Sequence, residues 1–130
     1  MIKRSGSCNC GAVTFDVTGA LRAVVYCHCT QCRKQTGNYV GATRAGDEQL
    51  TIRGGDNLTW FAASPHAKRG FCKTCGSAMF WKADGSPRTS IMAGVIDKPT
   101  GLGSGFHIYC EDKGDYYEIA DGLAQFAQAD

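Results

Sequence analysis

The segment Cys27-His28-Cys29-Thr30-Gln31-Cys32 places three thiols within six residues, and two further cysteine pairs accompany it. Cys8 and Cys10 form a C-x-C pair, while Cys72 and Cys75 form a C-x-x-C pair far downstream. Sulfurs at such spacings can converge on one tetrahedral zinc ion, at about 2.3 Å from the metal. The fold must therefore bring together cysteines that lie more than sixty residues apart.

The seven clustered cysteines divide most simply into two zinc sites, which predicts two zinc ions per chain. Four protein sulfurs complete a tetrahedron and make a structural site, whereas three leave one position open for water or substrate. The closed site is predicted on Cys8, Cys10, Cys72 and Cys75. The open, reactive site is predicted on Cys27, Cys29 and Cys32.

The fourth position of the open site has several candidate ligands. They are His28, His66, His107, Cys110, a water molecule and the sulfur of a substrate. His28 lies between two ligands, so we expect its ring to point away from the metal that they share. If Cys110 completes the tetrahedron, both zinc sites are structural and the catalytic interpretation fails.

The composition indicates one globular domain over residues 1–130, with 43% hydrophobic and 20% charged residues. A net charge of +2 gives no support for binding nucleic acid or an anionic membrane. No apolar run approaches the roughly 18 residues that cross a bilayer. The first seven residues lack the apolar core of a signal peptide, so we expect a reducing cytoplasm. There, closely paired cysteines favour metal binding over disulfides.

Seventeen glycines and short alternating apolar runs predict many brief strands joined by tight turns. This pattern favours an all-β sandwich or a mixed antiparallel sheet. Strands are predicted at residues 13–17, 23–26, 39–43, 50–53, 58–62, 68–72, 77–82, 89–95, 106–110 and 116–119. Short helical turns are predicted at residues 30–37 and 122–129, and a surface loop at 97–104.

An open zinc site has a definite chemical use. Zinc lowers the pKa of a bound thiol or water and polarises a carbonyl group as a Lewis acid. A site built from thiolates is soft and favours a further sulfur ligand, so an incoming thiol is a natural partner. Arg33 and Lys34 follow the cluster directly and are predicted to hold the carboxylates of a small anionic thiol.

With these residues in place, the chain resembles the glutathione-dependent formaldehyde-activating enzyme family, which also includes the CENP-V-like proteins. The similarity covers nearly the whole chain, and the ordered set of three cysteine motifs is its most specific part. The similar segments are Cys8-x-Cys10-Gly11-Ala12-Val13, Val25-Tyr26-Cys27-His28-Cys29-x-x-Cys32-Arg33-Lys34-x-x-Gly37, Phe71-Cys72-x-x-Cys75-Gly76-Ser77, Gly94, His107-Ile108-Tyr109, Tyr117-Glu118-Ile119 and Asp121-Gly122-Leu123.

The resemblance implies a mainly β, Mss4-like zinc-containing fold of short antiparallel strands in packed sheets, with few short helices. It also implies a structural zinc on the four-cysteine set and a second zinc on the three-cysteine set. The family's namesake reaction is the condensation of glutathione with formaldehyde, classed as a carbon–sulfur lyase activity. Two features differ from the family pattern: Cys110 replaces an apolar residue, and residues 111–116 replace its usual S-K-A-P-W run.

Two other functions are compatible with the same cysteines. A non-catalytic zinc module for protein interaction or zinc handling would use both sites structurally. Redox sensing is a third hypothesis, because zinc-bound thiolates can be oxidised with loss of the metal. The leading hypothesis is an enzyme that acts on small thiols and aldehydes, with glutathione and formaldehyde as the first pair to test.

Overall fold

The computed structural model describes residues 1–129, which form ten short strands and one α-helix. The strands are β1 (Lys3–Ser7), β2 (Thr14–Thr18), β3 (Val24–Cys27), β4 (Val40–Gly46), β5 (Leu50–Arg53), β6 (Leu58–Ser64), β7 (Ala67–Cys72), β8 (Ala78–Ala83), β9 (Arg88–Met92) and β10 (Ser104–Ile108), and the helix is α1 (Thr30–Thr36). These elements confirm the predicted mainly β fold class. No helix in this part of the chain is long and apolar enough to span a membrane.

The strands form two sheets of unequal size. The smaller sheet has the order β1-β2-β5 and is antiparallel throughout. The larger sheet has the order β10-β3-β4-β9-β8-β7-β6, and its only parallel pair in the described residues is β10 with β3. Antiparallel neighbours need only short turns, which fits the frequent glycines of the sequence.

The core packs side chains of the smaller sheet against side chains of the larger one. Phe15 of β2 meets Phe80 of β8 edge to face, with ring centroids 5.5 Å apart. Both rings are almost completely buried, and Cys8 and Cys72 belong to the same buried cluster. The cluster therefore extends from the interface between the sheets to two sulfurs of the predicted structural site.

Most predicted strands lie within one to three residues of an observed strand, but two predictions were wrong and one strand was missed. β1 was not predicted, because its sequence has no apolar alternation. Residues 116–119 form no strand, and residues 122–129 form no helix. The last segment instead runs beside β10, where His107 N–H donates to Ala124 O at 2.9 Å and Phe126 N–H donates to His107 O at 2.9 Å. Pairing with the open edge of β10 supplies the hydrogen bonds that a helix would otherwise make internally.

Candidate metal centres and active site

The turn after β1 and the turn between β7 and β8 bring four sulfurs together. The Sγ atoms of Cys8 and Cys10 are 3.6 Å apart, and those of Cys10 and Cys72 are 3.7 Å apart. Cys75 completes the group, in which all sulfurs lie within 4.8 Å of one another. Tetrahedral zinc with 2.3 Å bonds places its sulfurs about 3.8 Å apart. The four side chains therefore fit a closed zinc site.

Nearby N–H and O–H groups donate hydrogen bonds to three sulfurs of this cluster. Asn57 Nδ2 donates to Cys72 Sγ at 3.0 Å, and the Val13 N–H donates to Cys8 Sγ at 3.3 Å. Hydrogen bonds from the side chain and backbone of Ser77 lower the pKa of Cys75 to about 5. Hydrogen bonds to ligand sulfurs are a regular feature of zinc sites, because they stabilise the deprotonated form that binds the metal.

The second group of sulfurs lies where β3 ends and α1 begins. Cys27 is the last residue of β3, Cys29 is the N-cap of α1, and Cys32 lies in its first turn. The three sulfurs are also within 4.8 Å of one another. Hydrogen bonds from Cys27 and Cys32 hold the pKa of Cys29 well below its usual range. Three convergent sulfurs, one of them readily ionised, suit a soft divalent metal such as zinc.

Within residues 1–129, no further cysteine, histidine or carboxylate joins these three sulfurs within 4.8 Å. Three of the predicted candidates, His28, His107 and Cys110, therefore lie outside the group, although they occur on neighbouring segments. His66 is an exposed residue in the turn between β6 and β7. Among the candidates considered, water and a substrate sulfur are the ones that this geometry leaves.

His28 belongs to a series of four hydrogen-bonded side chains, in which the two histidines are buried. Its Nδ1 is 2.6 Å from the Tyr117 hydroxyl, its Nε2 is 2.8 Å from Nδ1 of His107, and Nε2 of His107 is 2.8 Å from Oδ2 of Asp121. Burial, followed by the nearby charge of His107, lowers the pKa of His28 to about 4. With both rings neutral, His107 donates to the carboxylate, His28 donates to His107, and Tyr117 donates to His28. These hydrogen bonds hold residues 117–121 against His28, which lies between Cys27 and Cys29 in the sequence.

Replacement of His107 with leucine is expected to lower the free energy of unfolding by about 2 kcal/mol, since it leaves the buried Nε2 of His28 without its acceptor. Leucine has a similar volume, so the lost hydrogen bonds dominate the effect. Urea denaturation measures the change, and His66→Leu at an exposed turn serves as the control. Equal midpoints for the His107 variant and the wild type would contradict the hydrogen-bond chain.

A cavity of about 620 Å³ opens beside the three sulfurs. Its floor is one face of the larger sheet, from β10 across to β7. Beside the sulfurs, Val40, Ala42 and Met92 pack against the cysteines and form an apolar wall. The remaining lining includes the side chains of Arg22, Arg44, Arg69, Trp81, Ser90 and Asp112.

Arg33 and Lys34 lie on α1 and are not among the residues that line this cavity. Their assignment to a substrate carboxylate stays a prediction. The arginines of the cavity were not predicted from the sequence as site residues. A signal for Arg44 was present, because it follows Val40 and Ala42 at alternate positions of β4 and therefore shares their face.

Comparisons with known proteins found a matching family model and curated relatives. The family model described as "Glutathione-dependent formaldehyde-activating enzyme" matches residues 3–112. A Halomonas elongata protein named "Putative glutathione-dependent formaldehyde-activating enzyme" is 30% identical over 128 residues, which cover 88% of this chain and 79% of that protein. An uncharacterised lyase of Schizosaccharomyces pombe is 24% identical over 127 residues, covering 97% of this chain and 92% of the lyase.

A solved structure is similar over most of its length. It is the crystal structure of a Rhodobacter sphaeroides protein, which superposes with a TM-score of 0.60 at 24% identity. The match covers 94% of this chain and 98% of the other. At this level of identity the similarity establishes the fold.

Proposed function

Because the chain belongs to the family of glutathione-dependent formaldehyde-activating enzymes, we propose that it catalyses the addition of a small thiol to an aldehyde. Glutathione and formaldehyde are the leading pair of substrates. One observation carries the proposal: three sulfurs converge at the wall of a cavity of about 620 Å³. Within residues 1–129, no fourth protein ligand joins them.

The two groups of sulfurs serve different purposes in this proposal. Cys8, Cys10, Cys72 and Cys75 would hold a structural zinc, and Cys27, Cys29 and Cys32 would hold a second zinc that faces the cavity. When bound there, zinc supplies Lewis acidity, which lowers the pKa of a thiol and polarises a carbonyl group. The first group would link the N-terminal turn to the β7–β8 turn and so keep the two sheets together.

The proposed reaction forms one carbon–sulfur bond and involves no oxidant or reductant. The thiol sulfur attacks the aldehyde carbon, and the π electrons of the carbonyl move to oxygen. That oxygen takes up the proton that the thiol loses, which gives a hydroxymethyl thioether as product. Cleavage of the same bond in reverse is the carbon–sulfur lyase direction. The apolar wall of Val40, Ala42 and Met92 would limit the access of water to the reacting atoms.

The test compares the rate of S-hydroxymethylglutathione formation with the spontaneous rate, using protein that contains two zinc ions per chain. NMR exchange spectroscopy measures both rates at equilibrium. We expect an increase proportional to enzyme concentration, with two zinc ions per chain retained throughout the assay. A rate equal to the spontaneous one, with two zinc ions retained, would contradict the proposal and favour a non-catalytic zinc module.

A further inference from the structure

The floor of the cavity carries an arginine, Arg44, four residues along β4 from Val40, which packs against the sulfurs. We propose that Arg44 binds a carboxylate of the thiol substrate, with Ser90 beside it, and that the site therefore selects anionic thiols. This inference rests on the proposed function. It assigns the recognition of the substrate carboxylate to the larger sheet, which forms the floor of the cavity, instead of to helix α1.

Sheet register brings the basic side chains onto one face. Arg69 of β7 pairs with Trp81 of β8, Trp81 pairs with Ser90 of β9, and Ser90 pairs with Arg44 of β4. Residues directly opposite one another in antiparallel strands project from the same face. All four line the cavity and form a row across four strands. At about 4.8 Å between strands, the two arginine backbones are about 14 Å apart.

The sulfur end lies further along the same strands. Cys27 pairs with Val40 of β4, and Arg44 is four residues beyond Val40 on that strand. At about 3.4 Å per residue, Arg44 is about 14 Å from Val40 along the strand. An arginine side chain extends over roughly half of that distance. A ligand with its sulfur at the cysteines would therefore reach Arg44 with a carboxylate several bonds away.

Arg69 has an electrostatic role of its own at the sulfur cluster. Its side chain is almost fully buried, and it donates to the Gln35 amide oxygen at 3.0 Å and to Cys32 Sγ at 3.5 Å. A buried guanidinium without a carboxylate is unfavourable unless another anion balances it. Three thiolates that held one Zn²⁺ would carry a net charge of −1, and the sulfur cluster would then be that anion.

Arg44 has no such partner. It is half-buried, and within residues 1–129 no hydrogen bond or ion pair engages its side chain. The single carboxylate among the lining residues, Asp112, belongs to the turn after β10, at the sulfur end of the floor. A substrate carboxylate would give Arg44 paired, charge-assisted hydrogen bonds. Small thiols that carry carboxylates, glutathione included, match this chemistry.

The test measures the binding of S-methylglutathione, which keeps both carboxylates and has no free thiol, by isothermal titration calorimetry. We expect Arg44→Gln to weaken binding about ten- to hundred-fold, the effect of losing charge-assisted hydrogen bonds. Arg44→Lys keeps the charge without the paired geometry. Its affinity for S-methylglutathione should therefore lie between those of the wild type and the Arg44→Gln variant. The diethyl ester of S-methylglutathione should bind the wild type as weakly as the unmodified compound binds the Arg44→Gln variant.

The matched control is Arg88→Gln, which removes the same charge from an exposed position of the same sheet outside the cavity. It should bind S-methylglutathione as the wild type does. The proposal is overturned if Arg44→Gln binds normally, if the ester binds as well as the acid, or if the wild type does not bind. It is equally overturned if Arg33→Gln or Lys34→Gln, and not Arg44→Gln, weakens binding.

These results separate the subsite from the reaction. If no thiol reacts above the spontaneous rate, while S-methylglutathione still binds through Arg44, the subsite stands and the proposed reaction fails. If glutathione reacts equally fast with the wild type and Arg44→Gln at subsaturating concentrations, the reaction stands and the subsite fails.

Discussion

Cys72→Ser is expected to abolish cooperative folding. The Cys72 side chain is completely buried in the core, and its sulfur lies 3.7 Å from that of Cys10. Structural zinc binding contributes an apparent 10–16 kcal/mol in small zinc domains, about as much as or more than the net stability of 5–15 kcal/mol of a typical domain. Serine is a poor zinc ligand, and its hydroxyl would replace a sulfur of the proposed structural zinc site in an apolar cluster.

Circular dichroism, urea denaturation and zinc content measure this effect. The variant should bind at most one zinc ion per chain and show no cooperative transition. Cys110→Ser makes the same chemical change outside both sulfur groups and should keep two zinc ions and the wild-type midpoint. A Cys72→Ser protein with two zinc ions and an unchanged midpoint would contradict the closed site.

Cys29→Ser is expected to reduce the reaction rate to the spontaneous level while the protein stays folded. Cys29 has the most readily ionised thiol of its group, and its loss would leave two sulfurs for the proposed second zinc. Serine is itself a favoured N-cap residue, so α1 should still begin at Thr30. Cys29 also lies outside the main core cluster, which explains why folding should persist.

The assay is the same NMR exchange measurement, combined with zinc analysis and urea denaturation. We expect one zinc ion per chain, a rate equal to that without enzyme, and a midpoint close to that of the wild type. Cys110→Ser again supplies the reference. If Cys29→Ser retained the wild-type rate, the three-sulfur centre would have no part in the chemistry.

Local sequence patterns predicted those strands and turns whose conformation is set by residues that are neighbours in the sequence. The alternation around Phe15 predicts β2, and the spacing from Thr30 to Gly37 predicts α1, which ends at Gly37 in the left-handed conformation. Residues 122–129 show the limit of such patterns. Their conformation is set by hydrogen bonds to β10, a partner that no local window contains.

The same distinction applies to the site. The two cysteine groups were predicted from the paired motifs and from the four ligands that tetrahedral zinc needs, and the structure brings together both sets of sulfurs. Arg44 and Arg69 are 25 positions apart in the chain and share a face only through the register of four strands. The contact between His28 and His107 likewise depends on the parallel pairing of β3 with β10.

The two sulfur groups differ greatly in the length of chain that each one encloses. Cys27, Cys29 and Cys32 are complete within a six-residue stretch, whereas the closing contact of the other group joins residues 62 positions apart. Short loops lose little entropy when they close, and long ones lose more. During synthesis the short stretch is therefore able to capture a metal before Cys72 has left the ribosome. On the proposed function, metal loading would then run in the opposite order to structural importance.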